Sequence, residues 1–308
     1  MHFGDYLKNC RVKLDFTQDD IVEKLYLFND KLFDGLNSPT YSKWERNVSQ
    51  PSPQRLSEIL HFIQKQSGNM ALPFWQDVSD KDFEEELCRA GIVQLLGTPK
   101  TISHDLDLDI LKMGNYSMMP LRHFERADEL LEIHQVLHEK VNPPFSRVGL
   151  DQFRKWNLNP QNFFYVLLYK NSFLGLIFAL NLKPSVFDQL IAMQKRKNEL
   201  TQDDFADPDE TGSIYLLSSF SLDASVTTLL ITRLYAYLVI NQEQIQDIGL
   251  ITAQRDVQKL ANRMNFQHRD VLDNEGMQLR SYSAPLQEMI RGEEFIRALF
   301  PRKSCEEA

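Results

Sequence analysis

Long apolar runs are absent from this 308-residue chain. A helix that crosses a bilayer needs about 20 consecutive apolar residues, and no stretch approaches that length. The first residues, MHFGDYLKNC, also lack the basic segment and continuous apolar stretch of an export signal. The sequence therefore predicts a cytoplasmic protein with no membrane partner.

Cysteine is scarce as well. Cys10, Cys88 and Cys305 lie far apart and form neither a CxxC pair nor a mixed cysteine–histidine set, which argues against structural zinc and a disulfide framework. His134 and His138 have a spacing that could hold a metal on one helix face, but no third ligand accompanies them. Solvated or capped histidines are the favoured interpretation, and no metal site is expected.

An excess of positive charge is also missing. The net charge is −9, and residues 1–70 contain nine basic and nine acidic side chains. Proteins that wrap nucleic acid are usually strongly basic. The charge therefore argues against extended wrapping of nucleic acid, although it still permits the docking of one helix. The length suggests about two domains.

The segment 17–53 has the signals of two helices joined by a connection. Thr17 can cap the first helix, and Asp20 lies in its first turn, where the helix dipole favours an acid. A second, short helix is predicted at Thr40–Arg46, capped by Asn37 or Ser38. The apolar positions that would face inward are Ile21, Val22, Leu25, Tyr41 and Trp44.

These residues resemble the DNA-binding domain of lambda-repressor and Xre-type regulators. The matching elements are Arg11, Thr17-Gln18, Tyr41-Ser42-Lys43-Trp44-Glu45-Arg46 and the exit Gln50-Pro51-Ser52. The resemblance implies an all-α helix-turn-helix domain over residues 1–69 with double-stranded DNA as its partner. Because this domain is formally neutral, one copy should bind weakly, so we also expect a homodimer on two half-sites.

The resemblance also assigns roles to individual residues. The implied DNA contacts are Thr17, Gln18, Ser38, Thr40, Ser42, Lys43, Arg46 and Asn47. The implied structural supports are Arg11, Trp44 and Glu45, with Arg11 and Glu45 paired beneath the surface. The alternative is an ordinary helical hairpin with solvated polar faces.

Residues 70–111 are interpreted as a linker that could form a dimer, and residues 112–290 as a mixed α/β domain. Strands are predicted at 116–121, 163–169, 173–180, 213–221, 248–252 and 277–283, and helices at 126–141, 226–239 and 257–264. The fold class is therefore α+β, an all-α bundle followed by an α/β domain. Residues 291–308 are interpreted as a tail.

The element order from Ile214 to Phe266, together with MMPLRHFERADELLEIH, resembles the Gcn5-related acetyltransferase fold. The resemblance implies that the turn at 221–227 would hold an acyl-CoA pyrophosphate through glycine N–H groups. This turn contains no glycine and no basic residue. The positions of the family's tyrosine and asparagine fall at Ala261 and Gln254.

These departures predict that the chain is not an enzyme and has no catalytic residues and no cofactor. The same turn remains a candidate cleft for a non-catalytic small molecule or acyl-CoA, formed by Ser221, Asp223, Ser225 and Thr227. The expected function is a dimeric DNA-binding transcriptional regulator whose degenerate acetyltransferase-like domain senses a ligand, dimerises, or both. An acyl-CoA-dependent acetyltransferase and a module that contacts a partner such as polymerase are the alternatives.

Two further clusters have competing interpretations. The acids between Asp203 and Glu210 suggest a mobile loop, with metal binding as the less common alternative. The aromatic residues of the predicted hairpin could line a ligand cleft or form the core of the sheet. They are Phe163, Phe164, Tyr165, Phe173 and Phe178.

Overall fold

The computed structural model describes residues 3–67, 116–141, 147–222, 224–274, 277–292 and 295. The chain divides into two compact units. The first, which we call the helical unit, contains residues 3–67, 287–292 and 295, and the second, the sheet unit, contains the described residues from 116 to 286. The predicted linker and most of the predicted tail lie outside the described residues.

The helical unit is a small bundle whose core is made by one side of each helix. Its helices are α1 (Phe3–Lys13), α2 (Gln18–Phe28), α3 (Asp30–Phe33), α4 (Ser38–Glu45) and α5 (Pro53–Ser67). The largest buried side chains include Tyr6, Phe33, Tyr41 and Phe62. The connection between α2 and α4 is partly helical, because Asn29 ends α2 and caps α3 through Leu32 N–H.

A segment from the other end of the chain completes this unit. Gln64 of α5 donates to the backbone oxygen and to Oε1 of Gln287, at 3.2 and 2.9 Å. Ser57 Oγ donates to the backbone oxygen of Arg291 at 3.1 Å. Phe295 is 1% exposed. The chain therefore returns to the helical unit after its last strand.

The sheet unit contains, within the described residues, a seven-stranded sheet of order β1-β2-β3-β4-β5-β7-β6. The strands are β1 (Tyr116–Pro120), β2 (Phe163–Tyr169), β3 (Ser172–Leu182), β4 (Gly212–Ser221), β5 (Ile245–Thr252), β6 (Gln267–Asn274) and β7 (Met277–Pro285). The β4–β5 pair is parallel and the other pairs are antiparallel. The predicted α+β class is thus confirmed.

Helices cover both faces of this sheet. They are α6 (Ala127–Val141), α7 (Leu150–Leu158), α8 (Pro184–Ile191), α9 (Ala224–Ile240) and α10 (Arg255–Arg263). A further helix, α11 (Leu286–Ile290), follows β7 and belongs to the helical unit from Gln287 onward. Side chains of α6, α7 and α8 share one buried cluster with β2, β3 and β4. The opposite face packs on α9, where a Cβ at Gly175 would lie 2.6 Å from Val226 Cγ1.

The hairpin between β2 and β3 forms where the sequence predicts it. Lys170 and Asn171 have φ values of 47° and 67°, which suit the tight turn that joins twisted antiparallel strands. Phe164 and Phe178 stack with ring centroids 4.2 Å apart and lie in the core. This arrangement favours the core interpretation of the aromatic residues over the cleft. None of the described helices is long and apolar enough to cross a membrane.

Gly4 of α1 lies close to the backbone of α4. A Cβ there would lie 2.2 Å from the backbone oxygen of Trp44 and 2.6 Å from that of Glu45. Backbone atoms of a packed helix cannot move aside as the end of a flexible side chain can. This position therefore requires glycine.

We predict that Gly4→Ala destabilises the helical unit by about 1–3 kcal/mol, the usual cost of overpacking. In an open helix the same change should stabilise by up to about 1 kcal/mol, because alanine has the higher helix propensity. The hydrogen-exchange rates of the α1 amides show whether the substitution destabilises or stabilises the helical unit. A slower exchange in the variant would contradict the close approach.

Candidate functional sites

Glu45 is the buried anchor of α4. Its carboxylate accepts hydrogen bonds from Arg11 Nε at 2.6 Å, Arg11 Nη2 at 3.2 Å and Gln18 Nε2 at 2.6 Å. The side chains of Arg11 and Glu45 are 14% and 4% exposed. Hydrogen bonding to Glu45 raises the pKa of Arg11. One carboxylate thus ties α4 to both α1 and α2.

The outer side of α4 is polar and open. The helix begins after Asn37, whose Oδ1 accepts from Thr40 N–H at 2.9 Å. Lys43 and Arg46 are exposed, and Thr40 and Ser42 are half-buried. The structure therefore brings these four predicted contacts onto one short helix and its end.

The other predicted DNA contacts differ in the hydrogen bonds that they make within the helical unit. Thr17 is exposed and forms a capping box with Asp20, and Ser38 Oγ donates to the Asp19 carboxylate. The side chain of Gln18 is hydrogen-bonded to Glu45. Asn47 has a left-handed φ of 58°, which asparagine tolerates, and accepts a hydrogen bond from Gly4 N–H at 2.8 Å. Gln18 and Asn47 therefore support the scaffold.

We predict that Glu45→Ala lowers the free energy of unfolding of the helical unit by about 3 kcal/mol, because it leaves a largely buried Arg11 charge unpaired. Chemical denaturation followed by the fluorescence of Trp44 measures this. Glu23→Ala, which removes an exposed acid of α2, is the control. Equal effects of the two substitutions would contradict the anchoring role.

In the sheet unit, the pairing of β4 with β5 stops before the carboxyl ends of the two strands. Their parallel register ends at Leu216 opposite Leu250, although β4 continues to Ser221 and β5 to Thr252. The register of β4 with β3 shifts at the same place, which leaves Leu217 as a bulge. A bulge bends a strand and ends its pairing. We call the region beyond this last pair, where the two strand ends do not pair with each other, the β4–β5 crevice.

The edge of this crevice holds the amino terminus of α9, a 17-residue helix. Its first-turn N–H groups and the helix dipole favour an anion. Ser221 Oγ and Thr227 Oγ1 lie 2.5 Å apart, so the structure brings together two members of the predicted cleft. Asp223 and the side chain of Ser225 lie outside the described residues. Because parallel strands end at one edge, Arg255, which follows β5, lies at this edge too.

His134 and His138 are not solvated, contrary to the expectation. Each is 2% exposed, because α6 turns this side towards the sheet. His134 Nε2 lies 2.7 Å from Ser218 Oγ of β4, and burial lowers the pKa of His134 to about 4. Among the described residues, no group of three or more histidines, cysteines or acids could hold a metal. Sequence reasoning missed Ser218, because only the register of the sheet places it against α6.

The acidic segment is more ordered than we expected. Two short 3-10 helices lie within residues 197–204, and Asp204 Oδ1 accepts a hydrogen bond from Lys195 Nζ at 2.7 Å. A polar pocket nearby is lined by Lys183, Asp203 and Asp207 among others. It adjoins the amino end of β4, far from the crevice at the carboxyl end.

The sheet unit resembles solved acetyltransferase structures over about 55% of the chain. Arabidopsis thaliana Naa50 in complex with the bisubstrate analogue CoA-Ac-MVNAL is 14% identical, with 55% of this chain and 98% of that chain covered and a TM-score of 0.36. The ribosomal-protein-S18-alanine N-acetyltransferase of Escherichia coli is 9% identical, with 56% of this chain and 94% of that chain covered and a TM-score of 0.36. The GphF GNAT-like decarboxylase in complex with isobutyryl-CoA is 14% identical, with 56% of this chain and 98% of that chain covered and a TM-score of 0.37. No protein-family model and no curated protein matches the chain.

The expectation that the chain is not an enzyme is wrong. Solved structures that the sheet unit resembles, at 9–16% identity, include several acetyltransferases. The expectation gave too much weight to the missing glycines in the turn at 221–227. Glycine eases the approach of a phosphate to backbone N–H groups, but the helix terminus supplies those groups whatever the side chains are.

Proposed function

We propose that this chain is an acyl-CoA-dependent acyltransferase whose helical unit binds DNA. The observation that carries the enzymatic part is the end of β4–β5 pairing at Leu216 and Leu250. Beyond this point the facing edges of the two strands have backbone N–H and C=O groups that do not pair with each other. Backbone groups that are not paired within the sheet take their partners from water or from a bound molecule. The amide groups of a pantetheine chain would satisfy them in the way that an added strand does.

The ends of the crevice suit the two ends of acyl-CoA. The pyrophosphate would lie at the amino terminus of α9, where N–H groups and the helix dipole favour negative charge. Arg255, exposed at the same edge, would add a positive charge. The pantetheine chain would then carry the acyl thioester inward to the bulge at Leu217. The reaction class is transfer of an acyl group from this thioester to a nucleophile.

Calorimetric titration of the full chain with acetyl-CoA tests this proposal. We predict binding of wild-type protein and at least about tenfold weaker binding of Arg255→Glu, since a charge-assisted hydrogen bond contributes about 1.5–3 kcal/mol. The matched control is Arg263→Glu, which makes the same charge change about 12 Å further along α10. If wild-type protein does not bind acetyl-CoA, the proposal fails. Equal losses in both variants would remove Arg255 from the site.

A second function is favoured by the two sides of α4. Tyr41, Trp44 and Glu45 are buried, whereas Lys43 and Arg46 project outward from the same two turns. This division matches a helix that is fixed by its inner side and inserted into the major groove by its outer side. Thr40, Ser42 and Lys43 would reach base edges, and Arg46 and Thr17 would contact phosphates.

The neutral charge of the segment 1–70 sets the expected mode of DNA binding. A few contacts from one copy give weak binding, whereas two copies on two half-sites roughly add their free energies. We therefore propose a homodimer on a repeated or palindromic site. In this arrangement the chain regulates transcription, and acyl-CoA is both its substrate and its small-molecule effector.

We predict that Lys43→Ala with Arg46→Ala weakens DNA binding and lowers the slope of log affinity against log salt by about one, because Arg46 is the proposed phosphate contact of the pair. Fluorescence anisotropy with labelled genomic fragments at several salt concentrations measures both. Lys24→Ala with Lys31→Ala removes two exposed lysines from α2 and α3 and is the matched control. If the two double variants bind equally well, α4 is not the reading helix.

A further inference from the structure

Ser218 lies where three features of the sheet unit meet. It follows the bulge at Leu217, it pairs in register with Phe178, and its Oγ is 2.7 Å from His134 Nε2. Its side chain is half-buried, whereas that of His134 is 2% exposed. Ser218 is therefore a polar group at the inner end of the β4–β5 crevice, and its hydroxyl is hydrogen-bonded to the buried ring of His134.

The surroundings of His134 indicate which way this hydrogen bond runs. Its ring packs against Phe153 and Phe178 with centroids 4.7 and 4.6 Å away. Among the described residues, its buried Nδ1 has no hydrogen-bond partner. A buried N–H without a partner is rarer than an acceptor without one. The proton therefore belongs on Nε2, which donates to Ser218 Oγ.

This direction leaves the hydroxyl hydrogen of Ser218 available for another acceptor. Burial lowers the pKa of His134 to about 4, so the ring is neutral near pH 7 and keeps a single N–H. A neutral ring that donates through Nε2 cannot also accept the serine proton. Ser218 is thus arranged as a hydrogen-bond donor and not as a nucleophile activated by a base.

We propose that Ser218 is a catalytic residue that donates a hydrogen bond to the carbonyl oxygen of the bound acyl thioester, and that His134 is the positioning residue that orients its hydroxyl. This inference rests on the proposed acyl-CoA function. It adds a named donor to the acyl end of the crevice, and it gives the buried histidine a role.

The chemistry balances without any proton transfer to or from Ser218. The acceptor nucleophile forms a bond to the carbonyl carbon, and the electron pair of the C=O bond moves onto the oxygen, where the serine hydroxyl stabilises the negative charge. The C=O bond then re-forms as the C–S bond breaks. CoA leaves as a thiolate, and the proton lost by the nucleophile completes its thiol.

Infrared difference spectra of carbonyl-labelled acetyl-CoA bound to the full chain test the donor directly and need no acceptor substrate. We expect the thioester carbonyl frequency to fall on binding to wild-type protein, and this shift to disappear in Ser218→Ala. Ser218→Thr keeps a hydroxyl and should retain the shift. Ser219→Ala, at the neighbouring exposed serine on the other face of β4, is the control and should match wild type.

Two substitutions of His134 distinguish a role in positioning the Ser218 hydroxyl from a role in packing alone. His134→Gln keeps an N–H near the place of Nε2 and should preserve most of the carbonyl shift, whereas His134→Leu removes the donor and should lose it. Thermal melts of all variants report on folding. Loss of the shift in His134→Gln and His134→Leu alike, with acetyl-CoA still bound, would overturn the role of the histidine.

The proposed function and this inference fail in different ways. If calorimetry detects no acetyl-CoA binding to wild-type protein, both fail. If acetyl-CoA binds and Ser218→Ala leaves the carbonyl frequency at its wild-type value, only the inference fails. The nitrogen-15 chemical shifts of the His134 ring in the ligand-free chain provide a second readout. The His134 signals are identified by their absence in the His134→Gln variant. A proton found on Nδ1 would overturn the proposed hydrogen-bond direction.

Discussion

The sheet unit depends on the contact between β4 and β5, which is the one parallel pair among the described strands. Parallel neighbours require a crossover connection, and here α9 makes it from the end of β4 to the start of β5. The crossover brings a helix amino terminus to the edge at which both strands end. The bulge at Leu217 ends the pairing before that edge is reached. The β4–β5 crevice and its positive end therefore arise from the same topology.

The helical unit depends on a different kind of constraint. Burial of a carboxylate is costly unless its hydrogen bonds are satisfied. Glu45 satisfies this requirement with donors from two other helices, so the orientation of α4 follows from where Arg11 and Gln18 lie. A helix of eight residues has little stability of its own. Its shape is thus set by tertiary contacts, and its polar side is left available.

Much of the fold could be predicted from the sequence, because capping residues and apolar periodicity are local signals. The strand at Phe163–Tyr169 and the turn at Lys170 follow from such signals. The helices α7 and α8 and the strand β6 were missed, since their patterns are short or strongly polar. The pairing of His134 with Ser218 was also missed, because it joins residues 84 positions apart through the register of the sheet. The missing glycines in the turn at 221–227 were given more weight than the backbone N–H groups at the start of α9.

The return of the chain to the helical unit has a consequence for biosynthesis. The helices α1 to α5 leave the ribosome first, yet Gln64 and Ser57 find their partners only when Gln287 and Arg291 have been translated. A nascent chain that stops early would carry an unfinished bundle. The bundle that contains α4 therefore gains these contacts of α5 only after the strands of the sheet unit have been translated.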